Sequence, residues 1–521
     1  MQVRCRSAYN AAALMVADRG RPTLLTGLLL AFAVAVAVCE RAPALFDDRS
    51  WFDETYVFLE SMGISFSEPW PSRYVRADLG LSPSIANVLH ELTHADAYPP
   101  LIHLVTWSSH RAPNPLLATR ALFILCGLAL IGVVYFFGRG LAGPSGAAVL
   151  AAYVAFSPMM TDTGQELKWY AAAPLLATLA TFLLIDLGPG DRGRWAAYGL
   201  CLLLLVETHY FCVWILPAHA LFVWWRRPAL RLPFAIVYAV VLLLYGPWLI
   251  WALPQQQGYT HHQFDVVFPT WPYNAWLQPA TPKPIVASYL YTMLAMIGAQ
   301  PSPLRGRYLV PVAVGAVWLL WRGAIAADPR RRDFVRVATG TLALALVAHT
   351  AYALKLGQTI PLTATYFVPW CPLMMIAVML GALELRGAPA RAIAGVLVGV
   401  AALNVALLGP PRRVLEGDSL SNYRDVAAAL SAPQDVPSAI VFRSDRDAKM
   451  VNVFYDGPAL QMIWAGQGPR DVPAAVGGLI YVSPAASAPA SPLPGWSRSE
   501  PTRLLGHTRI DTFRRAAPPA S

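Results

Sequence analysis

The chain has 521 residues, of which 56% are hydrophobic and only 13% are charged. Soluble domains average roughly 45–50% apolar and ~25% charged residues, so a soluble globular protein of this composition would lack polar surface. The chain is too apolar for a disordered protein, and its six cysteines and lack of a glycine period exclude disulfide scaffolds and collagens. A polytopic membrane protein remains.

The net charge of +10 is carried by 36 arginines and only four lysines. The arginines form no basic stripe with interleaved aromatic residues, so we expect no nucleic-acid partner. The chain also has no Gly-x-x-x-x-Gly-Lys-Ser/Thr loop and no Gly-x-Gly-x-x-Gly turn after a strand. We therefore do not expect an activated substrate carried on a soluble nucleotide.

Transmembrane helices are predicted wherever an apolar run is long enough to cross about 30 Å of hydrocarbon. We predict about eleven, over residues 22–38, 115–138, 144–160, 170–185, 196–208, 210–225, 233–252, 308–321, 337–353, 362–383 and 392–408. Because further spans follow closely, the first is expected to be a retained helix rather than a cleaved signal peptide. The apolar residues 285–299 are predicted to form an interfacial helix, because another crossing would invert every later span.

The distribution of arginine among the loops predicts the orientation of these helices. With a cytoplasmic N-terminus, the cytoplasmic segments hold 17 Arg and no Lys in 65 residues: 1–21, 139–143, 186–195, 226–232, 322–336 and 385–391. The first external loop, 39–114, holds ten acidic residues against five Arg. We therefore expect a protein of the inner (plasma) membrane of a bacterium, with its N-terminus in the cytoplasm and residues 409–521 outside.

The C-terminal segment is rich in proline and alanine and differs in composition from the rest of the chain. We predict that a helix opens at Tyr423 and that strands cover 438–442, 478–482 and 507–514. The predicted fold is an all-α polytopic membrane protein with a large first external loop and a small C-terminal α/β external domain. Its predicted parts are a cytoplasmic segment (1–21), a transmembrane core (22–408) and the external domain (409–521).

Two adjacent carboxylates, Asp53 and Glu54, stand beside Trp51 and Phe52 early in the first external loop. A carboxylate held at a membrane-facing cavity can take a proton from a hydroxyl or an amine as that group attacks. Acidic residues also favour the first turn of a helix, so a capping role for Asp53 or Glu54 is the alternative interpretation.

The same loop contains His90, His94 and Asp96, followed by Tyr98-Pro99-Pro100-Leu101. Two consecutive prolines force an extended backbone before the next helix begins. Histidine and carboxylate side chains can bind a divalent metal, but this spacing does not close a coordination shell. A helical surface with hydrogen-bonded histidines is therefore the favoured interpretation.

Further candidate residues lie in the short second external loop and at the start of the second span. Glu166 and Tyr170 are four residues apart, which is the spacing of one helix face. Lys168 would lie near a lipid headgroup, with snorkelling at the membrane surface as the alternative. Arg120 lies about one turn inside the second span, where its partner would be a lipid phosphate or a carboxylate of the first loop.

These residues, in this order, resemble the motifs of the GT-C superfamily of polyprenyl-phosphate-sugar-dependent glycosyltransferases. Within it, they are most similar to the bacterial branch that resembles protein O-mannosyltransferases and the lipid A aminoarabinose transferase. The matching residues are Asp53-Glu54 for an Asp-Glu pair, Tyr98-Pro99-Pro100-Leu101 for His-Pro-Pro-Leu, Arg120, Gly138-Arg139, Ser157-Pro158, Gln165 to Ala171 for Gln-Glu-x-Arg-x-Tyr-Ala, and Thr208 to Phe211 for Thr-His-Tyr-Phe. The resemblance is strongest over 50–225 and stays collinear to 408.

The chain departs from the family pattern at two positions. Tyr98 replaces the histidine of the proline motif, so a role of that imidazole is lost or passes to His94 or His103. Thr365-Tyr366 stands where the family often has Arg-Tyr, and Lys355 on the preceding external edge could substitute for that arginine as a phosphate contact.

The resemblance implies an inverting sugar transfer at the outer face of the membrane. Asp53, with Glu54 beside it, would be the catalytic carboxylate that deprotonates the acceptor, which then attacks the anomeric carbon of a sugar linked to polyprenyl phosphate. The residues implied to bind the donor phosphate are Arg120, Lys168, Lys355 and Tyr366. Those implied to position the acceptor or donor are Glu166, His94, Tyr98, His103 and Tyr170.

The resemblance also bears on cofactors and partners. Because members of the superfamily differ in metal dependence, the resemblance implies no one cofactor. Glu54 and Glu166 would either orient the acceptor or hold a divalent cation, Mg²⁺ or Mn²⁺. The implied partners are the lipid bilayer, a polyprenyl-phosphate-linked sugar and an envelope acceptor, which is a lipid, a polysaccharide or a protein.

Two other functions fit a polytopic chain. A lipid flippase or other transporter would carry ionisable residues on several spans, whereas nearly all charged residues of this chain lie in predicted loops. An envelope scaffold would bind its partners through residues 409–521.

Overall fold

The structure of the protein is a computed structural model built mainly of α-helices, with one mixed β-sheet. It describes residues 23–45, 52–64, 73–74, 83–94, 98–164, 167–262, 279–298, 306–359, 362–385, 387–408, 423–431, 438–442, 445–455, 457, 459–463, 472–473, 475–484, 496–505 and 508–515.

The described helices are numbered in chain order. They are α1 (Leu24–Arg41), α2 (Phe52–Ser61), α3 (Ile85–His94), α4 (Leu101–Trp107), α5 (Pro115–Ala155), α6 (Pro158–Thr163), α7 (Trp169–Asp186), α8 (Arg192–Val206), α9 (Ile215–Arg226), α10 (Arg231–His262), α11 (Pro282–Met296), α12 (Gly306–Ala324), α13 (Pro329–Leu356), α14 (Cys371–Leu383), α15 (Gly387–Leu408), α16 (Tyr423–Leu430) and α17 (Asp445–Asn452). Short 3₁₀ helices cover Ala42–Leu45, Tyr210–Trp214, Pro228–Leu230 and Ala364–Trp370.

The chain divides into two compact units. The first unit comprises Met1–Ala44, Tyr98–Ile102 and Arg120–Pro411. The second unit comprises Leu45–Ala97, His103–Thr119 and Arg412–Ser521, so it combines most of the loop predicted to be external, 39–114, with the C-terminal segment.

Seven helices in the described part of the chain are long and apolar enough to cross a membrane. They are Leu24–Arg41, Pro115–Ala155, Trp169–Asp186, Pro228–Trp251, Pro329–Leu356, Ala364–Leu383 and Gly387–Ala406. The shorter apolar stretch Val310–Ala324 lies within α12. The apolar runs predicted from the sequence coincide with helices, although some of these helices are shorter than a full membrane span. The predicted runs 115–138 and 144–160 join into the single helix α5.

Large apolar side chains remain exposed along the outward faces of these helices. Phe32, Phe136, Leu243, Ile250 and Val347 are each more than half exposed. A soluble protein rarely exposes a continuous apolar surface of this kind, whereas lipid tails solvate it. Together with the seven apolar helices, these faces identify a multi-pass membrane protein.

The ends and bends of the helices follow local sequence signals. Helix α5 bends at Gly143, whose φ of 72° lies in the left-handed region that glycine adopts readily, just before Pro144. Helix α13 begins after Asp328, whose side chain accepts a hydrogen bond from the Arg330 amide at 2.8 Å. It ends at Gly357, which has a φ of 72°.

Ion pairs join the helices of the first unit at one end. They are Arg227–Asp333 at 3.3 Å, Arg330–Asp186 at 2.6 Å and Arg331–Glu384 at 2.9 Å. These pairs bring together the predicted cytoplasmic segments 186–195, 226–232 and 322–336, as alternating crossings require. The side of the membrane that this end faces stays a prediction.

The second unit contains a mixed sheet of seven described strands in the order β1-β3-β2-β4-β7-β5, with β6 also paired to β7. The strands are β1 (Arg73–Tyr74), β2 (Ser438–Phe442), β3 (Leu460–Ile463), β4 (Gly478–Pro484), β5 (Trp496–Arg498), β6 (Arg503–Leu505) and β7 (Thr508–Arg515). Strand β2 runs parallel to β3 and β4, whereas β7 is antiparallel to β4. The apolar core of the sheet includes Ala439, Val441, Leu479, Tyr481 and Phe513.

The small C-terminal α/β domain predicted from the sequence is confirmed. The predicted helix is α16, and the predicted strands are β2, β4 and β7, with residue 507 outside the described residues. The sequence did not predict β1, which comes from the loop 39–114 and pairs antiparallel with β3.

Candidate functional site

Aromatic, histidine and lysine side chains gather where several segments of the first unit meet. The segments are residue 98 before α4, the start of α7, the 3₁₀ helices Tyr210–Trp214 and Ala364–Trp370, and α13. We call these side chains the His209 cluster: Tyr98, Lys168, Trp169, Tyr170, His209, Tyr210, Phe211, His349, Tyr352 and Tyr366.

His209 lies at the centre of the cluster. It is 1% exposed, and its ring stacks on Trp169 with the ring centres 4.2 Å apart. Its Nδ1 atom accepts a hydrogen bond from the Phe211 amide at 3.2 Å. Burial lowers the pKa of His209 well below its usual value, and the charges of Lys168 and His349 lower it further. The imidazole is therefore neutral near pH 7, with its hydrogen on Nε2.

Lys168 is buried within the protein beside two tyrosine rings. Its backbone is extended, with φ −156° and ψ 174°, and it precedes the first residue of α7. The Nζ atom lies 5.4 Å from the centre of the Tyr170 ring and 5.9 Å from that of the Tyr98 ring. The ring quadrupoles attract a cation at this distance. The site therefore places a positive charge among aromatic faces.

The extended backbone at Lys168 corrects one prediction. Because α7 begins at Trp169, no continuous helix runs from Glu166 to Tyr170, and the two residues do not share a helix face. Tyr170 is buried in the first turn of α7. Glu166 lies outside the described residues.

Tyr98 directly precedes the proline motif. The predicted start of a helix after the two prolines is confirmed, since α4 begins at Leu101. The Leu101 amide donates a hydrogen bond to the Glu207 carbonyl at 3.2 Å, which ties this segment to the end of α8. The Tyr98 ring is 5.5 Å from His209 and 5.4 Å from Tyr210. The phenol at position 98 thus lies beside an imidazole that comes from another segment.

Two further segments complete the cluster. The Tyr366 ring lies 5.1 Å from Phe211 and 6.3 Å from His209. His349 on α13 is fully buried, with its ring 4.3 Å from Phe211. Lys355, near the end of the same helix, is exposed.

Arg120 is the remaining predicted phosphate contact in this unit. It lies in the second turn of α5 and is 3% exposed, as predicted for a cation about one turn inside the span. The first unit therefore contains two buried cations that the sequence had singled out, Arg120 and Lys168.

The other predicted site residues lie in the second unit. Asp53 and Glu54 lie in the first turn of α2, where Glu54 is 5% exposed. His94 ends α3, and the side chains of His94 and Asp53 lie outside the described residues. His103 on α4 is buried, and its Nε2 atom is 3.4 Å from an oxygen of Glu60 on α2.

Glu60 is a buried carboxyl group that the sequence predictions missed. Burial raises its pKa well above the usual value of 4.5, the charge of Glu91 raises it further, and Lys449 opposes the shift. The Tyr56 ring, one turn earlier on α2, is 6.5 Å from the His103 ring. This arrangement favours a neutral, protonated carboxyl group at Glu60.

The described residues contain no group of three or more His, Cys, Asp or Glu side chains that could hold a divalent metal. Glu166, Asp96 and the side chain of His94 lie outside the described residues. A role for Mg²⁺ or Mn²⁺ stays a prediction.

The sequence predictions also missed His209 and His349 as members of the site. His209 stands within the motif run 208–211, and His349 is the one histidine in the apolar run 337–353. Both signals were present, but neither reveals which other segments the imidazole contacts.

Comparison with known proteins gives structural likenesses only. No protein-family profile and no curated protein matches the chain. An oligosaccharyltransferase from Archaeoglobus fulgidus, in complex with zinc and sulfate, shares 13% identity with a TM-score of 0.48, over 87% of this chain and 67% of that one. ArnT from Cupriavidus metallidurans in the apo state shares 14% identity with a TM-score of 0.48, over 94% of this chain and 98% of that one.

A second structure of the Cupriavidus ArnT, bound to undecaprenyl phosphate, shares 13% identity with a TM-score of 0.47, over 93% of this chain and 97% of that one. The TM-scores below 0.5 describe a distant likeness.

Proposed function

We propose that this protein is a membrane glycosyltransferase that moves a sugar from a polyprenyl-phosphate donor to an acceptor of the cell envelope. The observation that carries the proposal is Lys168, a buried ammonium group among aromatic rings within a run that resembles a GT-C motif. A buried cation of this kind suits an anionic substrate group.

The His209 cluster has the chemistry that such a donor requires. The positive charge of Lys168 attracts the phosphate. The neutral His209 carries a hydrogen on Nε2, which can be donated in a hydrogen bond to an oxygen of the substrate. The aromatic faces of Tyr98, Trp169 and Tyr170 suit the apolar faces of a sugar or an isoprenoid chain. Arg120, Lys355 and Tyr366 are proposed as further phosphate contacts.

The proposed reaction is a single displacement at the anomeric carbon. The Asp53 carboxylate takes the proton from an acceptor hydroxyl or amine, and the acceptor oxygen or nitrogen forms a bond to the anomeric carbon. The bond from that carbon to the phosphate oxygen breaks, and polyprenyl phosphate leaves with the electron pair, stabilised by Lys168 and Arg120. Attack from the opposite face inverts the configuration.

The other predicted residues are proposed to position the two substrates: Glu54, Glu166, His94, Tyr98, His103 and Tyr170. The reaction is proposed to take place at the outer face of the inner membrane, with residues 1–21 in the cytoplasm and 409–521 outside. This orientation rests on the arginine excess in the alternate loops.

Binding of undecaprenyl phosphate to the purified protein tests the proposal. We expect Lys168→Met to weaken binding by at least about tenfold, the loss of one charge-assisted contact in a buried site. Lys283→Met is the matched control, because Lys283 is an exposed lysine in the first turn of α11. Equal affinity of Lys168→Met and the wild type would remove Lys168 from the donor site and with it the main support for the proposal.

A further inference from the structure

Arg41 is a buried charged residue that no predicted function uses. It ends α1 and is 1% exposed. Its Nη1 atom donates a hydrogen bond to the Ala37 carbonyl at 3.0 Å, and its Nη2 atom donates one to the Met160 carbonyl at 2.8 Å. The guanidinium thus connects the end of α1 to α6 through main-chain carbonyls. Burial of a cation destabilises the folded state unless its N–H groups form hydrogen bonds. A buried arginine with these contacts is therefore a candidate for a specific structural role.

Two glycines lie beside this guanidinium, and at Gly164 a larger residue would not fit. A Cβ atom at Gly164, which follows α6, would lie 3.0 Å from Nε of Arg41 and 2.6 Å from the Met160 carbonyl oxygen. A Cβ atom at Gly127 on α5 would lie 3.5 Å from the same Nε. The Met160 carbonyl also accepts a hydrogen bond from the Gly164 amide at 3.1 Å. The Arg41 guanidinium and the Gly164 amide therefore donate hydrogen bonds to the same carbonyl oxygen, that of Met160 in α6.

A small cavity of about 10 Å³ adjoins the guanidinium, enough space for one water. Its lining includes Arg41, Met160, Gly164, Tyr170 and Pro174. The Nε atom of Arg41 has no hydrogen-bond partner among the described residues. A water in the cavity would accept a hydrogen bond from this Nε, the one nitrogen of the guanidinium without a partner among the described residues.

We propose that Arg41 is a positioning residue that fixes Lys168 in the His209 cluster. Gly164 and Tyr170 both line the cavity beside Arg41, one before Lys168 in the chain and one after it. Lys168 has an extended backbone and directly precedes the first turn of α7. Tyr170 in that turn lines the cavity beside Arg41, and its ring centre lies 5.4 Å from Nζ of Lys168. Arg41 thereby helps to determine where the ammonium group lies. The consequence for donor binding rests on the function proposed above for Lys168.

The small number of lysines allows a direct test that needs no substrate. The chain has only four, of which Lys283 and Lys355 are exposed and Lys168 and Lys449 are buried. The intact purified protein is treated with a water-soluble amine-acetylating reagent, and the labelling rate of each lysine is measured by mass spectrometry. In the wild type, we expect Lys283 and Lys355 to react quickly and the two buried lysines slowly.

We expect Arg41→Met to raise the labelling rate of Lys168 by about tenfold or more, because local opening of its segment becomes easier. Lys449, which lies in the second unit, should stay as protected as in the wild type and reports that the variant is folded. Arg139→Met, at an exposed position of α5, is the matched control and should leave Lys168 protected. Unchanged protection of Lys168 in a folded Arg41→Met protein would overturn the proposal.

A second variant covers the case in which Arg41→Met does not fold, shown by fast labelling of Lys449 as well. Gly164→Ala keeps the arginine but places a methyl group 2.6 Å from the Met160 carbonyl oxygen and 3.0 Å from Nε of Arg41, which is too close for both to stay in place. It should displace the guanidinium and expose Lys168 to the reagent. Protected Lys168 in a folded Gly164→Ala protein would equally overturn the proposal.

Undecaprenyl-phosphate binding then separates a positioning role from a merely structural one. If Arg41 acts through Lys168, Arg41→Met should weaken binding by about tenfold alone but by less than about twofold when Lys168→Met is already present. Additive losses would contradict action through Lys168. If labelling of Lys168 rises as expected but the wild type binds no undecaprenyl phosphate, the positioning role holds and the proposed function fails.

Discussion

Glu60 shows how much a single residue can depend on contacts distant in the sequence. Its carboxyl group is fully buried and faces His103 from α4, Glu91 from α3 and Lys449 from α17. Burial favours the protonated form, so the folded protein holds a proton that the unfolded chain releases above its usual pKa of 4.5.

This proton predicts a pH dependence of stability. Between pH 4.5 and the raised pKa of the folded state, the folded protein binds more protons at Glu60 than the unfolded chain does. The free energy of unfolding therefore decreases as the pH rises, with a slope of up to about 1.4 kcal/mol per pH unit from this group. Glu60→Gln should remove that slope and stabilise the protein at pH 7 relative to the wild type.

Thermal unfolding in detergent from pH 5 to pH 8 checks this expectation. Glu500→Gln is the control, because Glu500 is exposed and its substitution should leave the slope unchanged. The same slope in Glu60→Gln as in the wild type would show that another group titrates.

At the residue scale, the sequence predicted part of the candidate site. Tyr98, Lys168, Tyr170 and Tyr366 were singled out from motifs, and the structure brings these four together around His209. Arg41 could not be predicted as their neighbour, because nothing in the sequence shows that its guanidinium reaches Met160, which lies 119 residues further along the chain. Motifs give residue types in order, whereas long-range pairing is set by packing.

At the scale of elements, the apolar runs and buried strands were predictable because each has a local period or length. The two-residue strand β1 has neither, so its pairing with β3 could not be read from the sequence. The helical face proposed for Glu166 and Tyr170 was wrong for a related reason. A spacing of four residues predicts a shared face only where the helix is continuous, and α7 begins between the two residues.

Helix α2, which bears Asp53, is held in the second unit by contacts with the C-terminal segment. The Phe58 ring on α2 stacks on Phe454, just after α17, with the ring centres 6.5 Å apart and the planes at 23°. Aromatic pairs of this kind contribute about 0.5–1.5 kcal/mol beyond the area that they bury. Deletion of 412–521 would therefore disturb the proposed catalytic helix as well, and loss of activity on deletion would not distinguish an enzyme from a scaffold.

Phe454→Ala tests this contact between the two elements. We expect amide hydrogen exchange over residues 54–61 to become faster by about tenfold, which corresponds to about 1.4 kcal/mol of local stability. Phe136→Ala is the control, since Phe136 is 68% exposed on the outward face of α5. Unchanged exchange over 54–61 in Phe454→Ala would mean that the stacked pair does not hold α2.

At the scale of the whole molecule, composition was enough to predict a polytopic membrane protein, because 56% apolar residues leave little polar surface. The sequence did not predict that most of the loop 39–114 would form one compact unit with the C-terminal segment. That grouping depends on contacts between segments more than 300 residues apart, such as Tyr74 with Gln461. Local patterns carry no information about such pairs.

The proposed function requires that the protein transfers sugar from a lipid-linked donor with Asp53 as the base. The most direct measurement is the rate of sugar transfer by purified protein supplied with polyprenyl-phosphate sugars and envelope acceptors, with Asp53→Asn beside the wild type and Asp78→Asn as a control from the same loop. We expect Asp53→Asn to lower the rate by about 10²–10⁴-fold, the usual contribution of a general base, while undecaprenyl-phosphate binding stays unchanged. Full transfer activity in Asp53→Asn, or lipid translocation by the wild type without any glycosylated product, would contradict the claim.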